Sequence, residues 1–401
     1  MIASYLTIIR RYPVVIAFGF LATFFSNFGQ TYFIGLYGEY FQTAFELSNV
    51  EFGGIYSAIT LASAVALLAL GHVVDKVRLR PYVAYVCLAL AAGCMCIAFA
   101  TSLPMFIVGL WLVRFHGQGV ITHMASTVTA REIEVGRGKS LSLTALGQPL
   151  GEVVLPLLFT FVLVALHWQD AWLAFGIMYI CCALPLMLWL TPSKALELPD
   201  ALEVATQAQT KLRHLLRDPA LWLLLVANML MPFLITGITF HQKWVMEDLG
   251  FTLQLYAISL MVFGVGHAVA GLLAGDVVDR LGAVKVLRWF LLPFMVASLL
   301  LAMIGHPVML PIFMLATALS AGCTHSARGS YLAERYGVKQ LGAIKSLFSS
   351  AMVFSTALAP VIFGMLIDGF QSATILFHLY WISAAMVLVS LRFLPSGKFS
   401  S

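Results

Sequence analysis

Apolar residues run in long blocks along this chain, and polar residues cluster in short intervals between them. The blocks fall near 14–38, 51–74, 81–102, 104–130, 138–166 and 170–191, and again near 219–243, 252–275, 283–304, 307–332, 340–367 and 371–394. Each is at least about 18 residues long, enough for a helix to cross a hydrocarbon core of about 30 Å. The interval at 192–218 is the only long polar one and separates six spans from six. This pattern predicts an all-α membrane protein of twelve transmembrane helices in two six-helix bundles, 1–191 and 219–401, joined by a linker at 192–218. The first block, which follows Arg10 and Arg11, reads as a retained span, because no small-residue cleavage site comes after it.

Composition supports the pattern: 61% of residues are hydrophobic and 10% charged, against about 45–50% and roughly 25% in soluble domains. The loops are too short for a catalytic domain, and there is no nucleophile elbow, paired-carboxylate spacing or metal motif. An enzyme is therefore not expected, and neither a cofactor nor a resident metal. No basic patch suits a nucleic acid. The six cysteines all lie in apolar blocks, where they act as small hydrophobes.

Charge sets the orientation. Of the 23 Lys and Arg, all but Arg114, Arg328 and Lys243 fall on the terminal tails, on the even-numbered loops, or in the turns facing them. Basic loops stay inside, so both termini and the linker are expected to be cytoplasmic, in the plasma (inner) membrane of a cell.

One stretch occurs twice. Gly71–Arg80 reads GHVVDKVRLR, and GDVVDRLGAV follows at Gly275, 204 positions on (275 − 71 = 204). Gly71, Asp75 and Lys76 in the first copy match Gly275, Asp279 and Arg280 in the second, and each copy is expected to close a span and open a basic turn. The pattern resembles the signature loop of the major facilitator superfamily of transporters, and with the twelve spans the resemblance covers essentially the whole chain. It implies two pseudo-symmetric bundles that rock about a midplane site. It further implies that each aspartate meets a helix N-terminus and a basic residue ending the fourth or tenth span, for which Arg131 and Arg335 stand here. FGQTYFI and RFHGQG are similar to segments of bacterial members near the monocarboxylate-transporter-like branch. The eighth-span arginine and eleventh-span lysine of oxalate- and lactate-type relatives are missing.

Polar side chains at membrane depth are costly and so are default functional candidates. In the first span Thr23, Asn27, Gln30 and Thr31 share an arc on a regular helix. In the fourth, Arg114 and Gln118 share one face and His123 lies nearly opposite, and Arg114, Gly117 and Gly119 resemble the arginine–glycine motif of the superfamily. Glu152, in the fifth span, is the one mid-membrane carboxylate, at a depth from which Arg114 is within reach as a partner. The second half offers Asn228, Thr236, His267, His325 and Arg328. His116, His123, His267 and His325 form no ligand cluster. Glu39 maps by the same offset onto Lys243 (243 − 39 = 204), and the two are expected to form an outer latch.

The expected function is secondary transport of a small organic solute by a monomer in the lipid bilayer, coupled to protons through Glu152 and Arg114, with Asn27, Gln30, Thr31, Gln118, His123, Asn228, Thr236, His267, His325 and Arg328 lining the cavity. A drug or amphiphile exporter and a non-transporting membrane sensor of the same fold are the alternatives. Proline between Gly147 and Gly151 departs from the fifth-span motif of drug–proton antiporters.

Overall fold

The computed structural model describes residues 2–70, 73–133, 137–192, 217–337 and 341–396. Among these residues helices are the only regular structure, as a bilayer requires where no water can satisfy the backbone. Twelve are long and apolar enough to span: α1 (Pro13–Leu36), α2 (Asn49–Leu70), α3 (Leu79–Ala98), α4 (Leu103–Glu132), α5 (Lys139–Leu158), α6 (Trp168–Trp189), α7 (Pro219–Phe240), α8 (Leu253–Leu281), α9 (Ala283–Ile304), α10 (Met309–Tyr336), α11 (Leu347–Phe370) and α12 (Ala373–Leu391). The chain forms two compact units, Met1–Glu197 and Leu198–Ser401, each with six spans. Most of the interval expected to link them, 193–216, lies outside the described residues, as do Gly71 and the side chains of Asp75, Lys76 and His325.

Local chemistry sets many of the ends. Proline occupies a first-turn position of α1, α4 and α7, where its missing N–H costs nothing. Asp218 caps α7 by accepting from Ala220 N at 3.0 Å, and Thr252 caps α8 by accepting from Leu255 N at 3.2 Å. The second copy of the repeated stretch closes its span and opens a turn, but later than the boundary expected at 275: α8 runs on through Gly275, Asp279 and Arg280 to Leu281. Nothing in DVVDRL breaks a helix, and the chain reverses only at Gly282, whose φ of 81° is open to glycine at little cost.

In the first unit α5 packs on α1 along a seam of small residues. A Cβ at Gly147 would run into the Phe20 carbonyl oxygen, and one at Gly151 into the Asn27 side chain. Between them and Gly19, Thr23 donates to Thr144 O at 2.5 Å. Small residues every third or fourth position allow this approach, which is how helices associate where lipid removes the hydrophobic drive. The C-terminal part of α1 is held instead by rings: Phe28, Phe33 and Tyr37 pack against Trp172, Phe175 and Tyr179 of α6 at centroid distances of 5.1 to 6.4 Å. Aromatic pairs of this geometry contribute about 0.5–1.5 kcal/mol each beyond area burial.

Gly147→Ala is therefore expected to lower the melting temperature of the purified protein, at a cost of about 1–3 kcal/mol, because a backbone carbonyl cannot swing aside. Gly54→Ala on α2, where nothing lies within 4 Å of the new carbon, should be neutral or stabilise by up to about 1 kcal/mol. Equal effects of the two substitutions would refute the seam.

Candidate functional site

The first span is broken. Its helix ends at Phe25, a short 3₁₀ turn covers Ser26–Gly29, Gln30 is extended with ψ of 149°, and helix resumes over Thr31–Leu36. Asn and Gly in SNFG favour such a departure, since Asn bonds its own backbone and Gly stabilises the helix least. Asn27 does this, donating from Nδ2 to Phe24 O at 2.8 Å. The shared arc expected of Thr23, Asn27, Gln30 and Thr31 assumed a continuous helix and is lost at the break. Thr23 is a packing residue. Asn27, Gln30 and Thr31 are all buried, at 0%, 7% and 9% exposure.

A break inside a bilayer strands carbonyl groups, and here protein supplies donors for them. Phe33 N donates to Gln30 O at 3.1 Å, so Gly29 O has no helical donor. Arg114 provides one, Nη1 to Gly29 O at 3.0 Å; Tyr179 of α6 adds a bond to Phe25 O, just before the break, at 2.6 Å. Arg114 is the first residue of a π-helical stretch of α4, Arg114–Ile121, a feature that clusters at functional sites. The crossing is tight: a Cβ on Gly29 would lie 2.5 Å from Val113 O and 2.8 Å from the Gly117 Cα. Gly117 thus has a steric reason. Gly119 has none comparable, its nearest neighbour being Leu67 at 3.7 Å.

Arg114 is 2% exposed, and its guanidinium also lies 4.9 Å from the centre of the Tyr56 ring, a favourable cation–π geometry. Tyr56 donates in turn to Thr31 Oγ1 at 3.0 Å, and Tyr32 donates to Asn27 Oδ1 at 2.8 Å. Beside this group stands Glu152, 7% exposed. Its Oε1 accepts from Gln148 at 3.2 Å, and its Oε2 is buried without a partner. The expected pairing of Arg114 with Glu152 is not formed: the arginine is engaged by Gly29 and Tyr56, and the carboxyl by Gln148. Equal depth on neighbouring helices did not bring them together, because the stranded carbonyl at the break takes the guanidinium.

The other sequence candidates are placed as follows. Arg328 of α10 donates to Asn228 Oδ1 of α7 and lies over the Phe348 ring at 5.6 Å, so two of them meet in the second unit. Thr236 is buried on α7, and His267 on α8 packs against Phe263 with its Nδ1 unpartnered. Gln118 and His123 are half-buried on α4. His116 bonds Leu112 O at 3.0 Å and the Tyr85 hydroxyl at 2.9 Å, both packing contacts. Lys243 pairs with Glu247 at 3.7 Å, one turn away on its own helix. Arg335 meets Asp218 at 2.6 Å, whereas Asp279 is exposed. The partner expected for Arg335 is thus replaced by the cap of α7, whose Oδ2 also accepts from Tyr336 at 2.7 Å. Sequence reasoning missed Tyr32, Tyr56, Tyr179, Gln148 and Asp218. Tyrosine counts as apolar in a hydropathy pattern, yet each buried hydroxyl needs a partner, and that was the available signal.

Two outcomes follow. Arg114→Met should lower thermal stability in detergent by about 1–3 kcal/mol, the usual cost of a buried polar group left unpaired; an unchanged melting curve would mean the carbonyl does not depend on Arg114. Asp218 sits just outside α7. Burial raises its pKa, but the hydrogen bonds from Arg335, Tyr336 and Ala220 N outweigh this and hold it below the usual aspartate value. Its contribution is then present above the unfolded value of about 3.9 and disappears as pH falls through the lower folded value. Melting curves should therefore show a smaller gap between wild type and Asp218→Asn below about pH 4 than at pH 7.

Comparison with known proteins agrees with this architecture. The family model for the Major Facilitator Superfamily matches residues 19–243 and 235–399. Among solved structures, a D-xylose–proton symporter is similar with a TM-score of 0.70 and 18% identity, covering 98% of this chain and 98% of that one. A nucleoside transporter, NupG, is similar with a TM-score of 0.76 and 12% identity, over 95% and 100% of the two chains. A bacterial homolog of the human lysosomal transporter Spinster, inward-facing and unoccupied, has a TM-score of 0.68 and 14% identity over 96% and 94%. These similarities show the fold alone. No curated protein matches the sequence.

Proposed function

The chain belongs to the Major Facilitator Superfamily, a family of membrane transporters, and from that premise we propose that it carries a small organic solute by alternating access and couples the movement to protons through Glu152. The observation that carries the reading is the carboxyl itself. It is buried, one oxygen is held by Gln148, and the other has no partner. An ionised carboxylate without a cation in low dielectric costs several kcal/mol, so this group holds a proton while closed from water and releases it when wetted. One titrating acid per cycle is enough for one proton per solute.

Arg114 is the second member of the proposed coupling pair. Its bond to Gly29 O ties its position to the break in α1. If the break rearranges during the cycle, Arg114 is the cation at hand for an ionised Glu152. Asn27, Tyr32 and Thr31 line the solute side of this device, and Asn228 and Arg328 are the corresponding polar pair proposed for the second unit. The same distribution of basic residues that predicted orientation supports a plasma-membrane protein with both termini cytoplasmic. The unpartnered Oε2 also suits a second reading, in which a cationic amphiphile and the proton exchange on the same oxygen.

Reconstituted vesicles test both readings, with a solute found by thermal-shift screening of metabolites. Glu152→Gln should abolish accumulation driven by a pH gradient and retain solute exchange, since an amide carries no proton. Uphill transport unchanged in the variant would end the coupling role. Loss of exchange for cationic solutes alone would favour the amphiphile.

A further inference from the structure

Each unit has a hollow beside its copy of the repeated stretch. In the first unit a cavity of about 390 Å³ lies where α2 gives way to α3, lined by Leu67, Val77, Pro81, Tyr85 and Phe115 among others. In the second unit a cavity of about 490 Å³ lies where α8 gives way to α9. The repeat offset carries Val77, Pro81 and Tyr85 onto Leu281, Lys285 and Trp289 (281 − 77 = 204), all three of which line it. The two hollows share these three repeat positions, differ in the rest of their linings, and are furnished differently. The first is apolar, whereas the second gathers Lys285, Arg288 and Arg392.

These cations are not neutralised by the protein. Glu334 lines the same hollow and is exposed, but among the described residues no carboxylate pairs with any of the three within 4.0 Å. Arg288 is fixed by a bond from Nη2 to Leu394 O at 2.7 Å, while its Nε is buried and has no acceptor. Arg392 lies 4.1 Å from the centre of the Trp289 ring. A buried guanidinium N–H without an acceptor is costly, and its fork matches a phosphate.

The surroundings say where the phosphate comes from. Trp289 is 44% exposed, at the end of a span where tryptophan and basic residues meet lipid headgroups. Exposed apolar residues lead away from the rim into the span region: Val296 and Leu300 on α9, Met386 and Val389 on α12, and Phe393 just beyond α12. A soluble anion would make no use of them.

We propose that this hollow is a binding site for an anionic phospholipid, with Lys285, Arg288 and Arg392 holding the headgroup phosphate and the exposed rows of α9 and α12 receiving the acyl chains. A basic pocket between spans at a membrane surface recognises lipid in this way. The hollow of the first unit lacks cations along its lining and has no such preference.

Native mass spectrometry of the full-length protein in mild detergent, titrated with phosphatidylglycerol and with phosphatidylcholine of the same chains, tests the assignment. Phosphatidylglycerol should be retained and phosphatidylcholine should not. Arg288→Gln should weaken retention about five-fold, the usual effect of one basic residue at a membrane surface. Glu334→Gln, which leaves all three cations in place, should strengthen it by a similar factor and keeps the test decisive if the arginine variant fails to fold. Equal retention of the two lipids, or no response to Glu334→Gln, overturns the site. Displacement of phosphatidylglycerol by millimolar inorganic phosphate would assign the pocket to a soluble anion and overturn the lipid.

Discussion

A helix that breaks inside a bilayer must find donors for the carbonyls it releases, and in the first unit much of the structure is arranged around that need. Lipid supplies no donors. Arg114 reaches the released Gly29 O from α4, and Tyr179 of α6 bonds Phe25 O just before the break, so two further helices are tied to this part of α1. The arrangement has steric conditions. Gly29 and Gly117 must lack side chains for α1 and α4 to cross at backbone distance, and Gly147 and Gly151 must lack them for α5 to lie against α1. Because α5 lies so close, Glu152 is carried to the edge of the break, where Gln148 satisfies one oxygen only. The candidate coupling group is thus a consequence of how the break is packed.

The second unit repeats the scaffold without repeating the device. Pro232 stands where Phe28 does in the first (232 − 28 = 204), and α7 remains one helix from Pro219 to Phe240. A tyrosine of the sixth span again donates to a carbonyl of the first: Tyr380 to Leu234 O at 2.6 Å. An arginine of the fourth span again reaches the first, but Arg328 meets a side chain, Asn228, and not a stranded backbone oxygen. Charge in this unit is concentrated instead at the span ends, in the Asp218–Arg335 pair and in the group Lys285, Arg288 and Arg392. At the offset of 204 Tyr179 and Arg114 fall on Ser383 and Ala318, so the second unit makes its contacts from other positions and its polar chemistry differs. A difference in polar chemistry is expected, since a buried polar group constrains only its own partners.

Twelve spans and the family were legible in the sequence because hydropathy over some 20 residues is a local sum and the signature stretch is contiguous. Arg114, Glu152, Asn228 and Arg328 were legible for a related reason: a polar group at membrane depth stands out against its neighbours whatever its partner. Which of them meet was not legible. Depth along a helix placed Arg114 level with Glu152, yet the break over Ser26–Gln30 leaves Gly29 O without a helical donor and the guanidinium goes there. Tyr32, Tyr56 and Tyr179 were hidden because a hydropathy pattern does not see a hydroxyl. Arg335 pairs with Asp218, the cap of α7, while Asp279 is exposed near the end of the helix that runs to Leu281. The sequence by itself determined the number of spans, their internal repeat and which side chains are out of place in lipid, since each depends on neighbours along the chain. Only the tertiary structure decided the partners, because a hydrogen bond is settled within about 3 Å between residues that here lie as far as 154 positions apart.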